Sequence, residues 1–244
     1  MMAHREQEST SSVEATEEFA AKIPVRRGRW DVDDIRRSMC LYAVTDRTWL
    51  DGRSLIDCVD QAIQGGATFM QLREKHLNTD EVVLIAQKLI PLCRAADVPF
   101  VIDDDVQAVL QSGADGVHVG QSDTACIEAR RILGSDAIVG VSVQTVAQAL
   151  KAQDEGADYL GVGALFKTDT KADAPGVSRE EFIAICSAVD IPVVGIGGLN
   201  ASTVDILDKT GACGAAVVSA LFAAKDIKAA ACDLRAKLDS LDLG

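Results

Sequence analysis

The sequence has few aromatic residues, few cations and no long apolar run. Phe, Trp and Tyr together make up 4% of its 244 residues, although 48% of the residues are hydrophobic. Small aliphatic side chains therefore dominate, which is typical of strands covered on both faces by helices. No apolar run is long enough to cross a bilayer, and the N-terminus lacks the apolar core of a signal peptide. We expect a cytoplasmic protein that does not bind a membrane.

Positive charge is scarce. The chain has 24 Lys and Arg residues against 37 Asp and Glu residues, which gives a formal net charge of −13. This balance argues against general binding to nucleic acid or to an anionic surface. If the protein handles phosphate, it must concentrate its few cations at one place.

Paired cysteines are also missing. The seven cysteines form no CxxC pair, and most lie in apolar helix or strand patterns. Zinc sites and disulfides are therefore disfavoured, and buried thiols in a reducing cytosol are expected.

The chain divides into two regions of different composition. Residues 1–29 are rich in Glu, Ser and Thr and then become basic at Arg26, Arg27 and Arg29. This composition predicts a mobile N-terminal extension with a short helix over residues 13–21. A solvated tail is favoured over a partner-binding role for the basic cluster. Residues 30–244 are predicted to form one catalytic domain.

In that domain, short apolar runs alternate with amphipathic segments. Four similar turns, at 65–68, 113–116, 156–159 and 211–214, each end a helix and open a strand. Among the helices we predict one capped by Asn200 that ends at Gly211, and a last helix over 221–238. Eight such units predict an α/β protein with a (β/α)8 barrel, and a doubly wound open sheet is the alternative. The predicted strands are 40–46, 68–73, 99–103, 116–119, 137–142, 159–162, 192–196 and 215–218.

Two of these strands have carboxylates at their C-terminal end or in the loop that follows. Asp103, Asp104 and Asp105 follow one apolar run, and Asp123 follows the next. The C-terminal ends of barrel strands carry the active site. Carboxylates gathered there suggest a hard cation that holds a polyphosphate. We assign Asp104 and Asp123 to that site and expect Asp105 to cap the next helix.

Anion-binding groups follow other strands. Gln71, Arg73 and Lys75 alternate onto one face, where Arg73 offers a bidentate fork, although a surface ion-pair cluster is an equal alternative on these residues alone. Ser142 ends the fifth strand and could reach the same anion.

A second anion site is indicated after strands six to eight. The loop 163–177 contains Thr168, Thr170 and Lys171, which fit either a phosphate clasp or a polar lid. The glycine-rich turn 195–198 and the turn at Val218 and Ser219 predict a phosphate cup made of backbone N–H groups.

Seven stretches, in this order, resemble the thiamine phosphate synthase family, and the resemblance covers roughly residues 31–223. They are LYAVTD (41–46), QLREK (71–75), GVHVGQSD (116–123), GVS (140–142), TDTK (168–171), GIGG (195–198) and VVS (217–219). The resemblance implies a (β/α)8 barrel and a transferase of thiamine biosynthesis that requires Mg²⁺. Such an enzyme joins 4-amino-5-hydroxymethyl-2-methylpyrimidine diphosphate to 4-methyl-5-(2-hydroxyethyl)thiazole phosphate and releases thiamine phosphate and pyrophosphate.

The resemblance also implies roles for individual residues. The metal ligands would be Asp104 and Asp123. The pyrimidine diphosphate would be held by Gln71, Leu72, Arg73, Glu74, Lys75, Asp103, Ser142 and Lys171, with Leu72 and Glu74 contributing mainly backbone. The thiazole phosphate would be held by Thr168, Asp169, Thr170, Gly198, Val218 and Ser219. Arg73, Lys75, Ser142 and Lys171 would be the catalytic groups. No general base is evident.

The sequence departs from the family pattern at four positions. Asp103 stands where Asn is usual, Gln144 where His is common, and Ala164 and Lys167 where prolines are usual. Two other readings stay open: a thiazole tautomerase with the same barrel, and a non-catalytic barrel that senses thiamine precursors. The expected partners are two small phosphorylated substrates, and a homo-oligomer is left open.

Overall fold

The structure, a computed structural model, describes residues 30–121, 124–166 and 176–244. The predicted mobile extension over 1–29, with its short helix, lies outside these ranges.

Eight parallel strands close into a barrel in chain order, with β1 paired to both β2 and β8. This confirms the predicted (β/α)8 barrel and excludes the open sheet. The strands are β1 (Leu41–Val44), β2 (Phe69–Leu72), β3 (Phe100–Asp103), β4 (Gly116–Val119), β5 (Ile138–Val143), β6 (Tyr159–Val162), β7 (Val193–Ile196) and β8 (Gly214–Val217).

Helices surround the barrel, and short polar side chains set where most of them begin. Asp31 and Asn78 each form a capping box, and Ser54 and Ser178 accept hydrogen bonds from the first turn. The helices are α1 (Val32–Ser38), α2 (Leu55–Gln64), α3 (Thr79–Ala95), α4 (Val106–Ser112), α5 (Cys126–Leu133), α6 (Val146–Asp154), α7 (Arg179–Ala188), α8 (Ser219–Phe222) and α9 (Ile227–Leu238).

Two helix predictions are wrong. The segment after Asn200 forms only a 3-10 helix, Val204–Leu207. Its polar side chains bond the local backbone instead: Asn200 Oδ1 accepts from Ser202 N at 2.9 Å, and Thr203 Oγ1 donates to Gly198 O at 3.0 Å. Such bonds compete with helical ones. The predicted last helix is in fact two helices, α8 and α9. Asp226 is the N-cap of α9, where its side chain accepts a hydrogen bond from Ala229 N at 2.9 Å.

Three large aromatic rings pack against one another in the barrel interior. Tyr42, Phe69 and Tyr159 pack with ring centroids 4.5 to 5.9 Å apart. Burying each such side chain contributes about 1.5–3 kcal/mol. Gly140 makes room for them, because a Cβ there would lie 2.1 Å from Tyr159 Cζ.

Helix α1 packs at the N-terminal end of the barrel, since it directly precedes β1. Its Ile35, with Trp30 and Met39 on either side, joins the buried cluster of the barrel interior. Because α1 covers this end, we place the active site at the opposite end of the barrel, where the strands have their C-termini.

All seven cysteines lie in the described residues and are free thiols, but the expectation of burial holds for only four of them, since Cys40 and Cys186 are half-buried and Cys232 is exposed. Burial raises the pKa of Cys93, Cys126 and Cys186 to about 12. Within the described ranges no helix is both long and apolar enough to cross a membrane.

Candidate active site

The predicted acidic and basic side chains meet at the C-terminal mouth of the barrel. A cavity of about 320 Å³ opens there between the ends of β2 and β3. It is lined by Glu74, Lys75, Leu77, Val82, Ile102, Asp103, Asp104 and Asp105. Carboxylates and a lysine therefore face one another across a single opening.

Arg73 is held between two carboxylates. Its guanidinium lies 3.3 Å from Asp46 at the end of β1 and 3.4 Å from Asp103 at the end of β3. The three side chains are only 10%, 13% and 16% exposed. The backbone N–H of Arg73 also donates to Thr45 Oγ1 at 2.9 Å. An anion that binds Arg73 must therefore share it with two carboxylates.

Asp46 is a site residue that the sequence reasoning missed. It belongs to a stretch quoted for the family resemblance but received no role. The available signal was its position, since Asp46 ends an apolar run in the same way as Asp103.

The other residues of the 71–75 stretch differ in environment. Leu72 is fully buried in the core cluster outside the barrel interior, so only its backbone is available to a ligand. Glu74 accepts from Arg47 Nε at 2.6 Å, and burial raises the pKa of its carboxyl although Arg47 lowers it. Lys75 is exposed and lines the cavity, with its charge available to a ligand.

The three consecutive acids have distinct positions. Asp105 N donates to Asp103 O at 2.7 Å, so Asp104 is the central residue of a γ-turn with φ of +60°. This is the rarer and more strained form of the turn. The Asp104 N–H donates to His118 O at 2.9 Å, and the side chain is exposed in the cavity. The turn thus presents a carboxylate at the mouth.

Asp105 has the predicted capping role. Its Oδ1 accepts from Ala108 N at 2.8 Å and its Oδ2 accepts from Thr79 Oγ1, also at 2.8 Å. Both carboxylate oxygens are therefore used in starting α4 and tying it to α3.

The donor chemistry at this mouth fits Mg²⁺. In the part of the chain that the structure describes, no group of three or more His, Cys, Asp or Glu side chains could hold a metal by itself. Mg²⁺ usually takes one or two carboxylates and completes its shell with water and substrate phosphates. Asp104 can supply one such carboxylate, and the predicted second ligand, Asp123, lies outside the described residues.

Gln71 and Ser142 are both linked to buried aromatic side chains. Gln71 Nε2 donates to Tyr42 OH at 2.8 Å, and Ser142 Oγ lies 2.9 Å from His118 Nε2. Gln121 Nε2 donates to the Ser142 carbonyl at 2.8 Å. Both residues are therefore fixed in position, Gln71 inside the barrel and Ser142 half-buried at its mouth.

The glycine-rich turn after β7 lies against the end of β6. Phe166 N donates to Gly197 O at 3.1 Å, and Gly198 has φ of +71°. A Cβ at Gly198 would lie 2.6 Å from Phe166 Cβ. In the described ranges no acceptor takes the N–H of Gly198 or of Ser219 at the start of α8, so both donors are available, as a phosphate cup requires.

Residues predicted on the 163–177 loop fall mainly outside the described ranges. These are Lys167, Thr168, Asp169, Thr170 and Lys171. Ala164 is described, and its carbonyl accepts from Val177 N at 2.8 Å across the base of the loop. Gln144 Nε2 donates to Gly163 O at 3.2 Å, so the unusual glutamine links the ends of β5 and β6.

Known proteins resemble this chain over most of its length. The family described as thiamine monophosphate synthase matches residues 41–221. The thiamine-phosphate synthase of Ruminiclostridium cellulolyticum is 48% identical over 191 residues, which cover 78% of this chain and 91% of that protein. The thiamine-phosphate synthase of Clostridium acetobutylicum is 45% identical over 77% of this chain and 89% of that protein. In the solved structure of thiamine phosphate pyrophosphorylase from Pyrococcus furiosus, 98% of the chain superposes on 84% of this one, with a TM-score of 0.78 and 38% identity.

Proposed function

The chain belongs to the thiamine-phosphate synthase family, and from this premise we propose how its barrel mouth holds the two substrates. It is a transferase of thiamine biosynthesis that joins the pyrimidine diphosphate to the thiazole phosphate and releases pyrophosphate. The observation that carries the proposal is that Lys75, Asp103 and Asp104 line one cavity at the C-terminal mouth, where Asp103 also lies 3.4 Å from Arg73.

The diphosphate is assigned to the β2, β3 and β5 side of the mouth. Arg73 gives it a bidentate donor and Lys75 a mobile ammonium. Ser142, held at the end of β5, donates to the same group. Lys171 is included from the family resemblance. Gln71 reaches this region from inside the barrel, where its amide already donates to Tyr42 OH.

Mg²⁺ is assigned to Asp104, with Asp123 as the second ligand. When bound there, it neutralises charge on the diphosphate oxygens. The exposed, strained Asp104 turn supports the protein half of this site, because strained backbone commonly occurs where a side chain must be presented to a ligand.

The thiazole phosphate is assigned to the opposite side, at Gly198, Val218 and Ser219. The N–H groups of Gly198 and Ser219, which have no acceptor among the described residues, support this assignment, as does the close packing that excludes any side chain at Gly198. We add Thr168, Asp169 and Thr170 to this phosphate cup on the basis of the family resemblance.

The chemistry needs no general base. The aminopyrimidine expels pyrophosphate when the bond from its methylene carbon to the diphosphate oxygen breaks, and the electron pair leaves with the oxygen. The thiazole nitrogen then uses its lone pair to form the new C–N bond. Arg73, Lys75 and Lys171 stabilise charge on the departing oxygens, and the shared pocket orients the two reactants.

We also propose that the enzyme acts in the cytoplasm on small molecules and without nucleic acid. The seven free thiols and the net charge of −13 support this.

A coupling assay tests the proposal. The full chain is incubated with both substrates and Mg²⁺, and thiamine phosphate and pyrophosphate are measured. Equal amounts of both products are expected, with loss of turnover after chelation of Mg²⁺. Release of neither product would support a tautomerase or a sensor and contradict the proposal. Turnover that survives chelation would remove Mg²⁺ from the site.

A further inference from the structure

A chain of hydrogen bonds crosses the barrel interior between two of the residues assigned to the diphosphate. Gln71 Nε2 donates to Tyr42 OH at 2.8 Å, and Tyr42 OH lies 2.7 Å from Tyr159 OH. Tyr159 OH lies 2.9 Å from His118 Nδ1, and His118 Nε2 lies 2.9 Å from Ser142 Oγ. Its five members come from five different strands: β2, β1, β6, β4 and β5. This series of hydrogen bonds begins at Gln71 inside the barrel and ends at Ser142 at the mouth.

The middle of this chain is shielded from water. Tyr42 and Tyr159 are 1% and 0% exposed, and His118 is 8% exposed. Burial raises the pKa of both phenols well above the usual value. Both therefore remain neutral, and each has one proton to donate.

The barrel provides space for the rings of this chain. A Cβ at Gly140 would lie 2.1 Å from Tyr159 Cζ, and a Cβ at Gly161 would lie 3.2 Å from His118 Cε1. Two glycines on β5 and β6 therefore leave room for the tyrosine and the histidine.

The distance alone allows either direction between the two hydroxyls. One direction gives each hydroxyl proton an acceptor among the described residues: Tyr42 accepts from Gln71 Nε2 and donates to Tyr159, and Tyr159 donates to His118 Nδ1. A neutral His118 then carries its proton on Nε2 and donates to Ser142 Oγ. Within the described ranges no second protein atom bonds Ser142 Oγ, so the serine proton can be given to a ligand.

We propose that Tyr42, Tyr159 and His118 are positioning residues that fix Ser142 as a hydrogen-bond donor toward the departing diphosphate. Successive hydrogen bonds in a buried chain polarise one another, which strengthens the last donor. The serine proton stays on Oγ, and the electron pair of the breaking C–O bond goes to the diphosphate oxygen. This inference rests on the proposed placement of the diphosphate at Ser142.

The His118 tautomer tests the inference directly. Long-range ¹H–¹⁵N spectra of the full-length protein without substrates are recorded well above the ordinary histidine pKa of about 6.5. The protein has only three histidines, so a His118→Gln variant assigns the signal. The Nε2–H tautomer is expected. The Nδ1–H tautomer would mean that the chain runs in the opposite direction, which overturns the inference.

Two matched variants separate positioning from packing. Tyr159→Phe and Tyr42→Phe each delete one buried hydroxyl from the interior. Tyr159→Phe removes the donor to His118 Nδ1, so the tautomer preference should be lost and kcat should fall about tenfold, the scale of one hydrogen bond. KM for both substrates should stay near the wild-type value. In Tyr42→Phe the Tyr159 proton still has His118 Nδ1 as its acceptor, so the tautomer should be kept and kcat should fall less.

Equal losses of kcat in the two variants, with the tautomer unchanged in both, would show that the hydroxyls act only through packing and would overturn the inference. Because the tautomer is read without substrates, it can fail while the diphosphate assignment stands. The reverse case is also distinguishable: a Ser142→Ala variant with wild-type kinetics contradicts the diphosphate assignment even if the Nε2–H tautomer is found.

Discussion

Replacing Asp103 by Asn should improve diphosphate binding. The carboxylate lies 3.4 Å from Arg73, and Asp46 lies 3.3 Å from the same guanidinium. Arg73 is thus shared by two acids before the diphosphate arrives. Asp103→Asn removes one negative charge from the mouth and adds an N–H₂ donor for a phosphate oxygen.

The scale of the effect follows from the geometry. Unit charges 3.4 Å apart interact by about 5 kcal/mol at an effective dielectric constant of about 20. Most of this is offset by desolvation and by the amide oxygen, which still accepts from Arg73. We expect a net gain of about 1.4 kcal/mol, which is about a tenfold lower KM for the diphosphate. With less negative charge to neutralise, the Mg²⁺ concentration for half-maximal rate should also fall.

The assay is steady-state kinetics in the diphosphate across a Mg²⁺ titration. Asp105→Asn is the matched control, since it makes the same change two residues away, and Asn caps a helix about as well as Asp. The control should leave KM and Mg²⁺ dependence near wild type. If Asp103→Asn loses turnover and Mg²⁺ cannot restore it, the carboxylate itself is required and the reasoning is refuted.

Three further sets of variants test other parts of the account. Asp104→Ala and Asp123→Ala should each abolish Mg²⁺-dependent turnover with an unchanged melting temperature, and normal rates at limiting Mg²⁺ would remove both from the metal site. Gly198→Val should raise KM for the thiazole phosphate far more than KM for the diphosphate, because the side chain blocks the backbone donors; equal changes would contradict the assignment of the two sides. Gly140→Ala puts a methyl group into a buried tyrosine ring, so it should cost about 3 kcal/mol and lower Tm by about 6–12 °C. Gly161→Ala meets only a 3.2 Å contact and should cost less in the same thermal scan, and the opposite order would show that the interior can repack.

The strands were predictable because each is an apolar run that ends at a glycine or a polar residue. The segment after Asn200 could not be predicted in this way, because its hydroxyl and amide side chains form hydrogen bonds with the local backbone in place of helical hydrogen bonds. Sequence periodicity does not register that competition.

The predicted strand ends correctly indicated which residues lie at the barrel mouth. Asp103 and Arg73, both predicted to lie at strand ends and to hold the diphosphate, are 3.4 Å apart, and the capping role of Asp105 is confirmed by its bond to Ala108 N. Asp46 was missed because a strand end marks a residue as near the mouth but does not say which cation it meets.

The interior hydrogen-bond chain was invisible in the sequence. Tyr42, His118 and Tyr159 lie in strands buried on both faces, where apolar runs do not reveal which side chains point inward. A signal did exist in Gly140 and Gly161, since glycine inside a strand often marks the close approach of another group.

The most direct test of the account is a crystal structure of the enzyme with thiamine phosphate and pyrophosphate, with Mn²⁺ in place of Mg²⁺ so that anomalous scattering locates the metal. The account predicts pyrophosphate on Arg73 and Lys75, the metal on Asp104, and the phosphate of thiamine phosphate on the N–H groups of Gly198 and Ser219. Pyrophosphate at Gly198, or a metal away from Asp104, would contradict it.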